Sequence, residues 1–189
     1  MNQVLNLLVK LAIVAVIGYG GYTFYRSYFD NDTDKIGSQA LVRQVLTINA
    51  EQLKGLLESG PKNNRPALMY IFESTNIVSR FYFADIVKFY DLFPRDKLNI
   101  IMLSLDQDPK AIAAFLDKKG FQRLRILRMD PSERQNMVGK IFELGGHFDG
   151  GVPYVVVINK SGLIEEVPLS FNRSDKIKHL IERSSEQKT

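Results

Sequence analysis

Ser79 is the most tempting nucleophile in this sequence, and His147 is the histidine of the central region that could serve it as a base. A serine attacks only when a base lies within hydrogen-bond reach and donors await the developing charge. Nothing in the spacing of residues 79 and 147 brings them together, so ordinary polar loop roles account for both. His147 and His179 are the only histidines, too few for a histidine-rich metal centre. Glu73, Asp106, Asp108 and Asp149 lack the compact spacing of a carboxylate cation site. No metal, no cofactor and no catalytic residue is expected. Thiol chemistry is excluded outright: the chain has no cysteine, and a thiolate is the attacking species in disulfide exchange.

Charge narrows the partners. The formal net charge is +4, a bias on encounter rather than a nucleic-acid signature, and neither a motif nor a dense basic stripe accompanies it. Nucleic acid is therefore not an expected partner. Arg123, Arg125 and Arg128, with Lys118 and Lys119, could face acidic groups, but the alternating Leu124 and Ile126 explain them as the solvated side of a strand. Tyr70, Phe72, Phe81, Tyr82, Phe83, Phe89, Tyr90 and Phe93 are expected mainly to fill the core. An exposed Phe81 or Tyr82 would instead mark an apolar partner-binding patch.

The elements that must position these residues are legible as periods and stop signals. Asn49, with Gln52 at the third helical position, forms a capping box ahead of Leu53, Leu56 and Leu57. ALMYIF at 67–72 reads as a buried strand feeding a helix over 77–93, and residues 98–105 form a second buried strand. Asp108-Pro109 and Asp130-Pro131 each place a cap before proline in the first helical turn, so both aspartates are read as structural. Residues 121–129 alternate as a strand, and a helix then runs through Phe142. After GGHFDGG at 145–151, strands at 153–159 and 163–168 flank a Lys160-Ser161-Gly162 turn, and a last helix spans about 173–183. Crossover units followed by a hairpin imply an α/β fold, a central mixed sheet flanked by helices.

Residues 1–29 read as a membrane anchor. Leu11–Tyr25 has no charged side chain, and residues 4–25 would cover about 33 Å as a helix, matching a hydrocarbon core of roughly 30 Å if Asn6 and Lys10 lie at one interface. Tyr19, Tyr22, Phe24, Tyr25, Tyr28 and Phe29 suit the opposite headgroup region. The basic amino-terminal side against Asp30, Asp32 and Asp34 predicts a single-pass protein with a cytoplasmic N-terminus. Its C-terminal domain would then lie in the periplasm or another exported compartment. A cleaved signal peptide is the rival reading, without an A-x-A site to support it, and a helix packed on soluble protein is a third. Residues 30–39 follow as a polar linker, 40–183 as the folded domain, and 184–189 as a polar tail.

Three runs carry a family resemblance: PALMYIFESTNIVSRF at 66–81, NIIMLSLDQDPKAIAAFLDKKGF at 99–121 and GGVPYVVVINKSGLI at 150–164. Together they make residues 40–183 similar to the thioredoxin-like superfamily, especially its membrane-tethered thiol–disulfide and peroxiredoxin-related branches. The resemblance implies a thioredoxin-like sheet and a redox pair at the start of the helix after the first core strand. Here those two positions hold Asn76 and Ser79, or Ile77 and Arg80, and either choice abolishes the pair. Pro153 matches the family's cis-proline, with Val152 before it, and the resemblance implies that Val152 offers backbone groups for pairing with an extended segment. Asn76, Ile77, Ser79, Arg80, Phe81, Val152 and Pro153 are thus the candidate partner-binding residues.

The expected function is that of a membrane-anchored, redox-inactive protein. Its anchor would sit in a lipid bilayer, and its domain would bind a protein or extended peptide, assisting assembly of an envelope protein. A non-redox hydrolase or transferase using the altered cleft, and a structural component of a membrane complex, are the alternatives.

Overall fold

A computed structural model describes residues 45–119, 121, 124–168, 170 and 173–186, without the side chains of 60–62 and 118. In chain order the elements are β1 (Leu46–Ile48), α1 (Ala50–Lys62), β2 (Ala67–Phe72), α2 (Ile77–Leu92), β3 (Asn99–Ser104) and α3 (Pro109–Lys119). They continue with β4 (Leu127–Met129), a 3-10 turn (Pro131–Glu133), α4 (Arg134–Glu143), β5 (Tyr154–Ile158), β6 (Ile164–Glu166) and α5 (Arg173–Glu186). The sheet order is β1-β4-β3-β2-β5-β6. β1, β4, β3 and β2 pair in parallel, while β5 runs antiparallel to both of its neighbours, β2 and β6.

β2 and β3 are buried along their whole length, which is why both read as continuous apolar runs: a central parallel strand is covered on both faces. One face presents Leu68, Tyr70, Phe72, Ile100, Met102, Val155 and Val157 to α2, α3 and α5. Phe83 of α2 fills the middle of this layer, with its ring 5.1 Å from Phe72 and 4.8 Å from Phe115. On the alternate positions Met69, Ile71, Ile101, Leu103 and Val156 are buried as well. α1 and α4, which bury Leu53, Leu56, Leu57, Met137 and Ile141, are held to each other by Lys54–Glu143 and Lys140–Glu51 ion pairs.

The caps form as the residue types require. Gln52 N–H donates to Asn49 Oδ1 at 2.8 Å and Asn49 N–H to Gln52 Oε1 at 3.0 Å, the reciprocal capping box. Lys110 N–H donates to Asp108 Oδ1, and Ser132 N–H to Asp130 Oδ1. The Asp130 cap opens a 3-10 turn, and α4 proper begins only at Arg134. The strand expected over 121–129 is confined to Leu127–Met129, with Leu124 and Ile126 buried in an irregular approach. β5 begins one residue later than expected because Pro153 has no N–H to give a ladder. α5 runs on to Glu186.

The expected membrane span is corrected. Among the described residues no helix is long and apolar enough to cross a membrane. The longest, α2, has 16 residues, about 24 Å against the roughly 30 Å of a hydrocarbon core, and it carries Arg80, Asp85, Lys88 and Asp91. The anchor assigned to residues 1–29 lies outside the described residues. The bilayer partner, the single-pass topology and the exported location that depended on it are withdrawn with it.

Candidate functional site

The site is built where β2 ends. Beyond Phe72 the chain turns through Glu73, Ser74 and Thr75, closed by Asn76 N–H donating to the Glu73 carbonyl at 3.1 Å. This turn is held from below by Asp106, a buried carboxylate just past the end of β3. Its Oδ2 accepts from Ser74 N–H at 2.9 Å and from Ser104 Oγ–H at 2.6 Å, and its Oδ1 accepts from Ser74 Oγ–H at 2.9 Å. Among the described residues Asp106 makes no ion pair; hydroxyls and an N–H supply its solvation. Sequence reasoning assigned Asp106 only as a poor metal ligand, and no local motif signals this network. Among the described residues no group of three or more potential ligands could hold a metal.

Asn76 is the N-cap of α2, in extended conformation, and its Oδ1 accepts from Ser79 N–H at 2.9 Å. Ser79 is 0% exposed, its Oγ has no hydrogen-bond partner among the described residues, and its carbonyl accepts from the Tyr70 hydroxyl at 2.6 Å. Burial pushes the Tyr70 phenol above its ordinary pKa, against the opposing pull of the Arg173 charge. A hydroxyl so enclosed cannot meet a substrate. His147 does not serve it: its ring is exposed and lies 3.5 Å from Glu166 and edge-on to Phe142.

The remaining residues of the first turns point outward. Ile77 is 80% exposed, Val78 44% and Phe81 68%, with Arg80 exposed among them. The Phe81 ring meets Tyr82 edge-on at 5.0 Å, and the other side of this cluster is closed by Arg173, whose guanidinium lies 3.3 Å from the Tyr82 ring centre. This stacking contact was not foreseen; the two residues are far apart in sequence. Among the basic residues singled out earlier, Arg128 is engaged in the scaffold, donating to Thr47 Oγ1 and the Gln107 carbonyl. Arg123 lies outside the described residues.

The second wall is the loop before β5. The Val152–Pro153 bond is cis. β2 pairs with β5 up to Ile71↔Tyr154, so Pro153 and Val152 lie just past the last paired position, at the same end of the ladder as Phe72 and Glu73. Val152 makes no backbone–backbone hydrogen bond among the described residues. Arg134 ties the two walls, donating to Glu73 Oε1 at 3.1 Å and to the Gly150 carbonyl at 3.4 Å. From the sheet edge, Glu166 Oε1 accepts from His147 N–H at 2.6 Å and from the Tyr154 hydroxyl at 2.7 Å. Gly146 fits this corner because a Cβ there would meet Ile141 at 2.7 Å and the Tyr154 hydroxyl at 2.9 Å.

The sequence matches no family model and no curated protein. Among solved structures the chain is similar to the thioredoxin domain of a thiol-disulfide oxidoreductase from Bacteroides vulgatus (TM-score 0.52, 10% identity, covering 63% of this chain and 81% of that one). It is similar too to a thiol:disulfide interchange protein of the thioredoxin family from Chlorobium tepidum (TM-score 0.52, 13% identity, covering 68% and 84%). A third is a thiol:disulfide interchange protein from Bacteroides sp. (TM-score 0.51, 11% identity, covering 64% and 75%). The fold is thioredoxin-like. This thioredoxin-like chain contains no cysteine, so it cannot act by itself as a thiol–disulfide oxidoreductase.

Two outcomes test the site's construction. Asp106→Ala strands the Ser74 N–H and two hydroxyls, and should cost about 2–4 kcal/mol in urea unfolding; a loss below about 1 kcal/mol would contradict the network. Burial raises the Glu166 pKa, but hydrogen bonds from Tyr154 and His147 and the charge of His147 outweigh it, leaving the carboxyl below its ordinary 4.5. A depressed folded-state pKa gives stability that is present above the unfolded value and lost as pH falls through the folded one. Amide exchange of residues 146–154 should therefore accelerate below pH 4.5 in the native chain, and in Glu166→Gln this acid-dependent step should vanish; an identical acid response in both would refute the assignment.

Proposed function

We propose that this chain is a non-redox binding module that receives an extended segment of a protein partner between the first turns of α2 and the Val152–Pro153 loop. One observation carries this reading: Ile77, Val78 and Phe81 stand exposed together where a redox pair would otherwise occupy a thioredoxin-like helix entrance. Leaving large apolar side chains in water forgoes about 25 cal/mol for each Å² that could be buried, and clustering them makes an adhesive surface. The loop wall adds backbone groups. Val152 lies just beyond the β5 ladder, so an extended segment could pair there through main-chain hydrogen bonds while its side chains cover Ile77 and Phe81. No sulfur is needed for either contact. The enclosed Ser79 hydroxyl and a His147 ring set against Glu166 and Phe142 favour recognition over hydrolysis.

Selection from a displayed random peptide library against the full chain tests the reading. Enriched peptides should lose at least about tenfold in affinity on Phe81→Asp, since truncating or charging a central apolar anchor typically costs 2 kcal/mol or more. Leu163→Asp, at an exposed apolar residue on the turn before β6, should leave binding unchanged. Equal losses in the two variants, or none in Phe81→Asp, would refute it.

A further inference from the structure

We propose that the segment docking on the first turns of α2 carries an acidic side chain set against Arg80, beside the apolar side chain that covers Ile77 and Phe81; this rests on the peptide-binding reading above. Arg80 is exposed and has no ion-pair or hydrogen-bond partner for its side chain among the described residues. Several surface cations are by contrast engaged within the chain, Lys88 with Asp85, Arg134 with Glu73, Lys140 with Glu51 and Arg183 with Glu165. Its position works against the helix. The first turn of α2 holds no acidic residue, and a cation near a helix N-terminus meets the positive end of the backbone dipole.

The acidic groups bordering the surface are already committed. Glu73 is bound by Arg134, Asp106 is buried among serines, and Asp149 accepts from Gly151 N–H. Arg80 stands three residues from Ile77 and next to Phe81, so it flanks the exposed apolar strip. A carboxylate placed there would meet the guanidinium and the positive helix end together, while a neighbouring alkyl or aromatic group covers Phe81. A second copy of this chain fits poorly. A two-fold pairing of this face would set Arg80 near its own equivalent, and a few side chains on one helix fall far short of the roughly 20 residues per side of a standard interface.

The test uses the full chain and three fluorescein-labelled decapeptides: one alternating Leu with Glu, and counterparts with Gln or Lys in place of Glu. At low salt the Glu peptide should bind about three- to fivefold tighter than the Gln peptide, the scale of an exposed ion pair, and the Lys peptide weakest. The gap should close near 1 M salt. Arg80→Gln should erase the preference and Arg80→Glu should reverse it, with the thermal midpoint lowered in neither. Equal binding of the three peptides, or an unchanged preference in Arg80→Glu, overturns the acidic assignment and leaves apolar docking standing. Binding that survives Phe81→Asp overturns the underlying reading instead. Failure of all three peptides to bind overturns both, and a chain dimer dissolved by Phe81→Asp makes a second copy the occupant and overturns the proposal.

Discussion

The arrangement depends on a carboxylate buried where two parallel strands end. Asp106 links the ends of β2 and β3 through Ser74 and Ser104, and the turn it secures delivers Asn76 to cap α2. A buried charge is tolerable only when its oxygens are fully engaged, so the donors define the conformation of the turn closely. From that fixed start, helical spacing decides the rest: Ser79 and Phe83 turn inward, while Ile77, Val78, Arg80 and Phe81 turn outward. The same constraint that buries the one hydroxyl exposes the apolar strip.

The loop of the cis-proline is secured independently. Arg134 joins it to Glu73, and Glu166 holds the backbone of His147 and the hydroxyl of Tyr154. The two walls are thus rigidly placed by polar contacts behind them, leaving an apolar front. In a thioredoxin-like scaffold without cysteine, the proposed recognition calls only on main-chain pairing and apolar burial, neither of which requires a reactive group.

Local chemistry was readable before the structure. The reciprocal Asn49–Gln52 box and the caps at Asp108 and Asp130 are decided by neighbours within a few residues, and the buried β2 and β3 announce themselves as unbroken apolar runs. Pro153 was legible through a resemblance of the surrounding strand and turn. What escaped was long-range. Asp106 reaches Ser74 across 32 sequence positions, and Arg173 stacks on Tyr82 from the last helix. Ser79 was singled out by residue type and by its place in the resemblance; only the docking of α2 on Tyr70 shows it enclosed. The N-terminal run was read as a membrane span from its apolar length, its aromatic flank and its charge asymmetry, and no described helix supplies one.

The claim that binding resides at the α2 entrance is tested most directly by an amide-by-amide nuclear magnetic resonance titration of the full chain with a library-selected peptide. The account predicts that the largest shifts fall on residues 74–81 and 150–153 together, with β1, β4 and α4 little changed. Shifts concentrated on any other face, with these two segments unperturbed at saturation, would contradict it.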